Sequence, residues 1–148
     1  MKQIYRWIIL VLIIAGLQLS ACAPAQIPVT GEKIQPATVE SIDGSDFKRV
    51  TLTQKAAERL DIQTAPVRLE QVNGSEQKII PYGGVMYGLQ GETWTYTNPE
   101  TLVFIRQSII IDHIDGDLAF LSEGPDAGTE VVTVGAAMLY GAEVGVSK

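Results

Sequence analysis

Hydrophobic and polar positions alternate in short runs along most of the chain, and the clearest run lies at 80–97. It reads IPYGGVMYG, then LQGE, then TWTYT. Thr93, Thr95 and Thr97 alternate with Trp94 and Tyr96, a period of two that puts both aromatics on one face of a strand and the hydroxyls on the other. Two strand-like runs around a polar, glycine-containing loop predict a hairpin. Further on, 102–105 and 109–111 are apolar on both faces with Arg106, Gln107 and Ser108 between them. That fits two strands or one strongly bent strand at a barrel corner. Asn98-Pro99-Glu100 predicts a turn after Thr97, and Asp115-Gly116 before Asp117 predicts a tight hairpin of type I′. A wider loop at 124–128 precedes a strand at 131–134, and 135–139 fits either a last turn of helix or an irregular strand.

Upstream, 48–52 is strand-like, and Thr53 is placed to cap a short helix over 54–60, whose Ala56 and Leu60 share a face. Asp61 ends that helix. Alternation resumes over 62–72, where Pro66 indicates an edge strand, and Asn73-Gly74-Ser75 makes a turn. The pattern therefore predicts a mainly β fold, a compact barrel or sandwich at 73–148 preceded by a short strand-helix-strand element at 48–72. Trp94, Tyr96 and Phe104 are its expected core aromatics; the alternative is an exposed aromatic contact surface.

Composition adds a location. The 148 residues suffice for one domain with appendages, and 14 Gly and 7 Pro punctuate short segments. Lys2 and Arg6 precede an apolar run at 7–17, too short for a spanning helix, which needs about 20 apolar residues, and suited to an export signal. The run ends in Leu19-Ser20-Ala21-Cys22, which resembles the lipobox of bacterial lipoproteins. The resemblance implies a signal peptide at 1–21 and a lipid on the Cys22 thiol, holding the exported protein on the extracytoplasmic face of a membrane. Cys22 is the only cysteine, so no disulfide within the chain forms. Residues 22–47, with Pro24, Pro28, Gly31, Pro36 and Gly44 and no sustained periodicity, read as anchor and flexible tether. Without 1–21 the chain carries 9 Lys and Arg against 17 Asp and Glu, a net charge of -8. Such a balance repels phosphate backbones and argues against nucleic acid as a partner.

Chemistry-bearing motifs are sparse. His113, the only histidine, has no nucleophile motif to serve and reads as a structural or surface residue. Asp112 and Glu123 stand at the first and twelfth positions of a calcium-loop spacing, but Ile114 and Gly116 occupy positions that need oxygen ligands and Asp117 sits where the turn glycine belongs. Gly83-Gly84 with Gly88 and Gly91 lacks the Lys-Ser/Thr of a phosphate loop, and Met86 and Met138 are isolated. The chain is expected to be no enzyme and to hold no metal or cofactor.

With these signals in order, the chain resembles the periplasmic adaptor (membrane fusion) subunits of bacterial efflux pumps. Val50-Thr51-Leu52-Thr53 followed by Ala57, Leu60, Ile62, Thr64, Ala65 and Val67 is similar to the segment that opens many adaptors. Ile80-Pro81, Gly91, Trp94-Thr95-Tyr96, and Gly128 with 131–136 are similar to their C-terminal membrane-proximal domain. The resemblance implies a small SH3-like β-barrel that contacts an inner-membrane transporter. Both the lipoyl-like half motifs and the long helical hairpin of such adaptors are absent. The expected function is thus a lipid-anchored, adaptor-like binding module, with an extracytoplasmic carrier of a small apolar ligand or metal ion as the alternative. Contacts are expected on two turns, one at Gly88, Leu89, Gln90, Gly91 and Glu92, the other at Asp115, Gly116 and Asp117. The sequence leaves the oligomeric state open.

Overall fold

A computed structural model describes residues 35–145. The export signal, Cys22 and the first half of the expected tether lie outside the described residues. Among the described residues no helix is long and apolar enough to cross a membrane.

The predicted alternation becomes two antiparallel sheets. The first is built from β1 (Ala37–Ser41), β2 (Lys48–Leu52), β3 (Gln63–Pro66), β6 (Met86–Tyr87), β7 (Thr93–Glu100), β8 (Val103–Ser108) and β11 (Glu130–Val134). Its strand order is β1-β2-β8-β7-β11-β3, with β6 also paired to β7. The second takes β4 (Arg68–Val72), β5 (Ser75–Pro81), β9 (Ile110–Asp115) and β10 (Leu118–Glu123), in the order β4-β5-β10-β9. Among the described residues neither sheet closes on itself, so the fold is mainly β but the ladders form no closed barrel.

Two buried residues carry the chain from one sheet to the other. Val67 links β3 to β4, and its N–H and carbonyl bond to Thr129 and Gly128. Ile109 links β8 to β9, donating to the Thr93 carbonyl at 3.0 Å and accepting from the Thr93 hydroxyl at 2.7 Å. The ambiguity over 102–111 thus resolves as two strands meeting at a corner. Strand β1 lies in the stretch expected to be tether, since 37–41 pairs with β2 from Ala37 opposite Leu52 to Ser41 opposite Lys48. The strand-helix-strand element is likewise no separate unit, because β2 pairs with β8, β3 with β11 and β4 with β5.

Helix α1 (Gln54–Arg59) forms as the sequence indicates, with the Thr53 hydroxyl accepting from the Ala56 N–H at 3.2 Å. It ends in a Schellman arrangement: Asp61 takes a φ of 49°, its N–H bonds the Glu58 carbonyl, and the Ile62 N–H bonds that of Ala57. A second helix, α2 (Ala136–Glu143), follows β11, which settles the reading of 135–139 and extends the helix past it.

Period two sorts the core. Trp94, Tyr96 and Phe104 pack with Val50, Leu52, Val132 and Leu139 in one buried cluster, to which α1 and α2 contribute Ala56 and Ala136. Val131, next to Val132, joins the second cluster with Val67, Ile80, Ile109 and Leu121. Thr95 and Thr97 are therefore buried as well, because the face opposite the aromatics meets the second cluster rather than water. Gly84 permits this closeness: a Cβ there would stand 2.9 Å from the Val132 carbonyl oxygen.

The turns depart from expectation in two places. Strand β7 continues through Asn98 and Pro99 to Glu100, and the reversal falls at Thr101 and Leu102, with Glu100 opposite Val103. A register shift between Thr97 and Glu100 accommodates Pro99, which has no N–H to give a ladder, and the Asn98 amide bonds the carbonyls of Glu100 and Val103. At 115–118, Leu118 pairs with Asp115, so Gly116 and Asp117 are the central residues. Only Gly116 has positive φ, the pattern of a type II′ turn with glycine first rather than the expected type I′.

Candidate functional site

The β6–β7 connection at 88–92 is a tight, polar loop at the end of the first sheet. The Gly88 N–H donates to the Glu92 carbonyl at 2.8 Å, and the Glu92 carboxylate folds back to accept from the Gln90 N–H at 2.9 Å. This hydrogen bonding holds Leu89 outward, where its side chain is fully exposed at 104 % of the reference area. Tyr87 and Gln90 flank it. Beneath the loop lies a groove of about 370 Å³ whose walls include Met86, Tyr87, Trp94, Arg106 and Tyr140.

Arg106 organises that groove. It stands opposite Tyr96 on β8, and α2 brings Glu143 to it. The guanidinium grips the carboxylate at two points, Nη2 to Oε1 at 2.8 Å and Nε to Oε2 at 2.9 Å, and the Tyr96 hydroxyl donates to the same carboxylate. Three rings surround the guanidinium carbon, Trp94 at 4.8 Å, Phe47 at 4.9 Å and Tyr140 at 5.4 Å. Trp94 in turn meets Tyr96 edge-on and Tyr140 at a tilt. Burial, then the hydrogen bond to Glu143, pushes the Tyr96 phenol far above its ordinary pKa. The pair is thus a desolvated, bidentate ion pair that pins α2 to the sheet.

The other expected contact turn lies elsewhere. Asp115, Gly116 and Asp117 join β9 to β10 in the second sheet and do not line the groove. A backbone link does run toward the first turn, because the Tyr82 N–H donates to the Asp117 carbonyl at 2.8 Å. The neighbouring Tyr82 phenol, and burial second, raise the Tyr87 pKa. His113 lies on β9, stacked on Phe120 at 4.3 Å, with Nδ1 2.9 Å from Asp112 Oδ2. That hydrogen bond, and then one from Gln77, lowers the exposed Asp112 carboxyl below its ordinary range. Among the described residues no group of three His, Cys, Asp or Glu is placed to hold a metal ion.

Arg106 and Glu143 were not singled out from the sequence, although a signal was present. Ala136, Leu139 and Glu143 recur at i, i+3 and i+7, so a helix there turns a carboxylate onto its buried stripe. A buried charge needs a partner, and Arg106 is the one charged residue of the 102–111 segment.

No family model, curated protein or solved structure matches the chain.

Proposed function

We propose that the chain is a non-enzymatic, lipid-anchored protein of the bacterial cell envelope whose β domain is an adaptor-like binding module for a membrane transporter. The observation that carries this reading is Leu89, an aliphatic side chain held fully outside at a hairpin tip above an aromatic groove. A single exposed leucine would be ordinary, but Leu89 shares the groove with Tyr87 and Tyr140, which are exposed as well, and an apolar patch rimmed by polar residues fits a protein contact. On this proposal the two open sheets are a relaxed counterpart of the small SH3-like barrel of adaptors, and Cys22 supplies the anchor. The charge of Glu92 at the rim, and that of Asp117 on the separate β9–β10 turn, then act on association rate and its salt dependence.

In-cell photo-crosslinking tests this. A crosslinker at Gln90 or Asp117 should capture a discrete membrane protein, while one at Gln35, an exposed control, should not. Asp117 is preferred to Gly116 because a φ of 56° at Gly116 strains any larger residue. Monomer alone, or the same adducts from all three positions, refutes the reading.

A further inference from the structure

Helix α2 packs on the first sheet, yet the side it turns away from that sheet has no charged covering. Ala136, Leu139 and Glu143 are its buried residues, whereas Ala137, Met138 and Tyr140 are exposed, as is Val144 at the C-cap, Met138 by 61 % and Val144 by 47 %. The only charged side chain of 136–144 is Glu143, which is held by Arg106. On the exposed side the one polar side-chain atom is the Tyr140 hydroxyl. A surface helix ordinarily sets charged or polar residues opposite its buried stripe, and a helix apolar all round is a covered one.

What covers this face follows from where the chain enters the domain. Ala37, the first residue of β1, packs against the buried cluster that holds Ala136 and Leu139, and β1 itself touches α2. On the lipoprotein reading the anchor is Cys22, thirteen steps of chain before Gln35, and thirteen steps span at most about 45 Å. That reach is comparable with the width of a domain of about 110 residues, roughly 35 Å. An acyl group at Cys22 therefore keeps the α2 side of the domain close to the bilayer, and makes lipid the apolar partner at the highest local concentration. We propose that the outer face of α2 rests on the lipid surface, with Met138 and Val144 entering the acyl boundary and the Tyr140 hydroxyl at headgroup level. Tethering matters here. These few side chains are too small a surface to hold a free protein, whereas one already attached forfeits little translational freedom on docking. α2 has no Lys or Arg to draw anionic headgroups, so the contact is apolar and indifferent to salt. The inference rests on the lipid anchor of the proposed function and not on its transporter.

The mature full chain is labelled with a nitroxide through Met138→Cys or, as a matched control, Leu69→Cys, a 49 % exposed position on β4 in the other sheet. Val144→Cys is a second reporter for the α2 face, and far-UV circular dichroism matching the wild type shows that each variant is folded. The proteins are reconstituted at low density into phosphatidylcholine vesicles. Relaxation of each label is then measured with oxygen, which concentrates in lipid, and with a neutral, water-soluble nickel chelate. The Met138 and Val144 labels should be at least about fivefold less accessible to the chelate than the Leu69 label, more accessible to oxygen, and unchanged by salt. Wild-type protein treated alike should take up no label, because its only thiol is acylated. Label on the wild type shows Cys22 free and overturns anchor and docking together. Unlabelled wild type, with Met138 and Val144 labels as open to the chelate as the Leu69 label, overturns the docking alone. Spin–spin broadening at Met138 that persists on dilution with lipid seats a second copy on the face and overturns the lipid contact.

Discussion

Tyr96, Arg106 and Glu143 come from β7, β8 and α2 and share one carboxylate, whose side chain is 2 % exposed against 17 % for the arginine. Removing one member of such a set leaves the others desolvated and unpaired. Glu143→Ala should therefore cost about 3 kcal/mol or more in urea unfolding, and Tyr96→Phe, which deletes one donor to a charged acceptor, about 1.5–3 kcal/mol. Replacing Arg106 and Glu143 together by leucine should recover much of the loss, since apolar substitutes for a buried pair are often neutral. The phenol adds a pH signature. Its folded pKa is raised above the unfolded value of 10.0, so its contribution is complete below pH 10 and is lost as pH rises beyond it. In an alkaline absorbance titration, Tyr96 should ionise only as the domain unfolds. A phenolate forming in the folded state would contradict the burial.

At the scale of elements, what the sequence states locally is what the structure repeats. Thr53 caps α1, Asp61 terminates it, Asn73 and Gly74 reverse β4 into β5, and Trp94 alternates into the core. Trp94 is 4 % exposed, so Trp94→Ala should cost about 3–5 kcal/mol, measured by denaturant unfolding followed through far-UV circular dichroism. A smaller loss would mean that the site collapses around the missing ring. What was not legible depends on partners far away in sequence. The strand at 37–41 has little apolar content of its own and exists by pairing with β2, so proline-rich surroundings concealed it. Pro99 suggested a turn because a proline cannot donate in a ladder, and it is the bulge, bridged by the Asn98 amide, that lets the strand pass through it. The groove was half legible: the polar loop at 88–92 stands out as a turn, but its wall is made by Arg106 and Tyr140, whose approach only the fold supplies.

For the whole molecule, anchoring is the property to test first. On the lipoprotein reading, the wild-type protein should partition into the detergent phase of a phase separation and Cys22→Ser should remain aqueous or uncleaved. Wild-type protein in the aqueous phase would remove the anchor from the account while leaving the β domain as described. That domain is tied together at one place from both directions along the chain. Phe47 comes from near the start of the described residues, Tyr140 and Glu143 from near their end, and all three close on Arg106. Aromatic rings and a carboxylate around a cation are the elements of a receptor for a soluble guest, but here the chain is both host and guest. Because the guest is covalently attached, it forfeits no translational freedom on binding, and a cation from solution competes at a disadvantage. Clipping α2 would therefore open the cage around Arg106 and loosen the segment around Phe47, so that damage to one wall is felt at another.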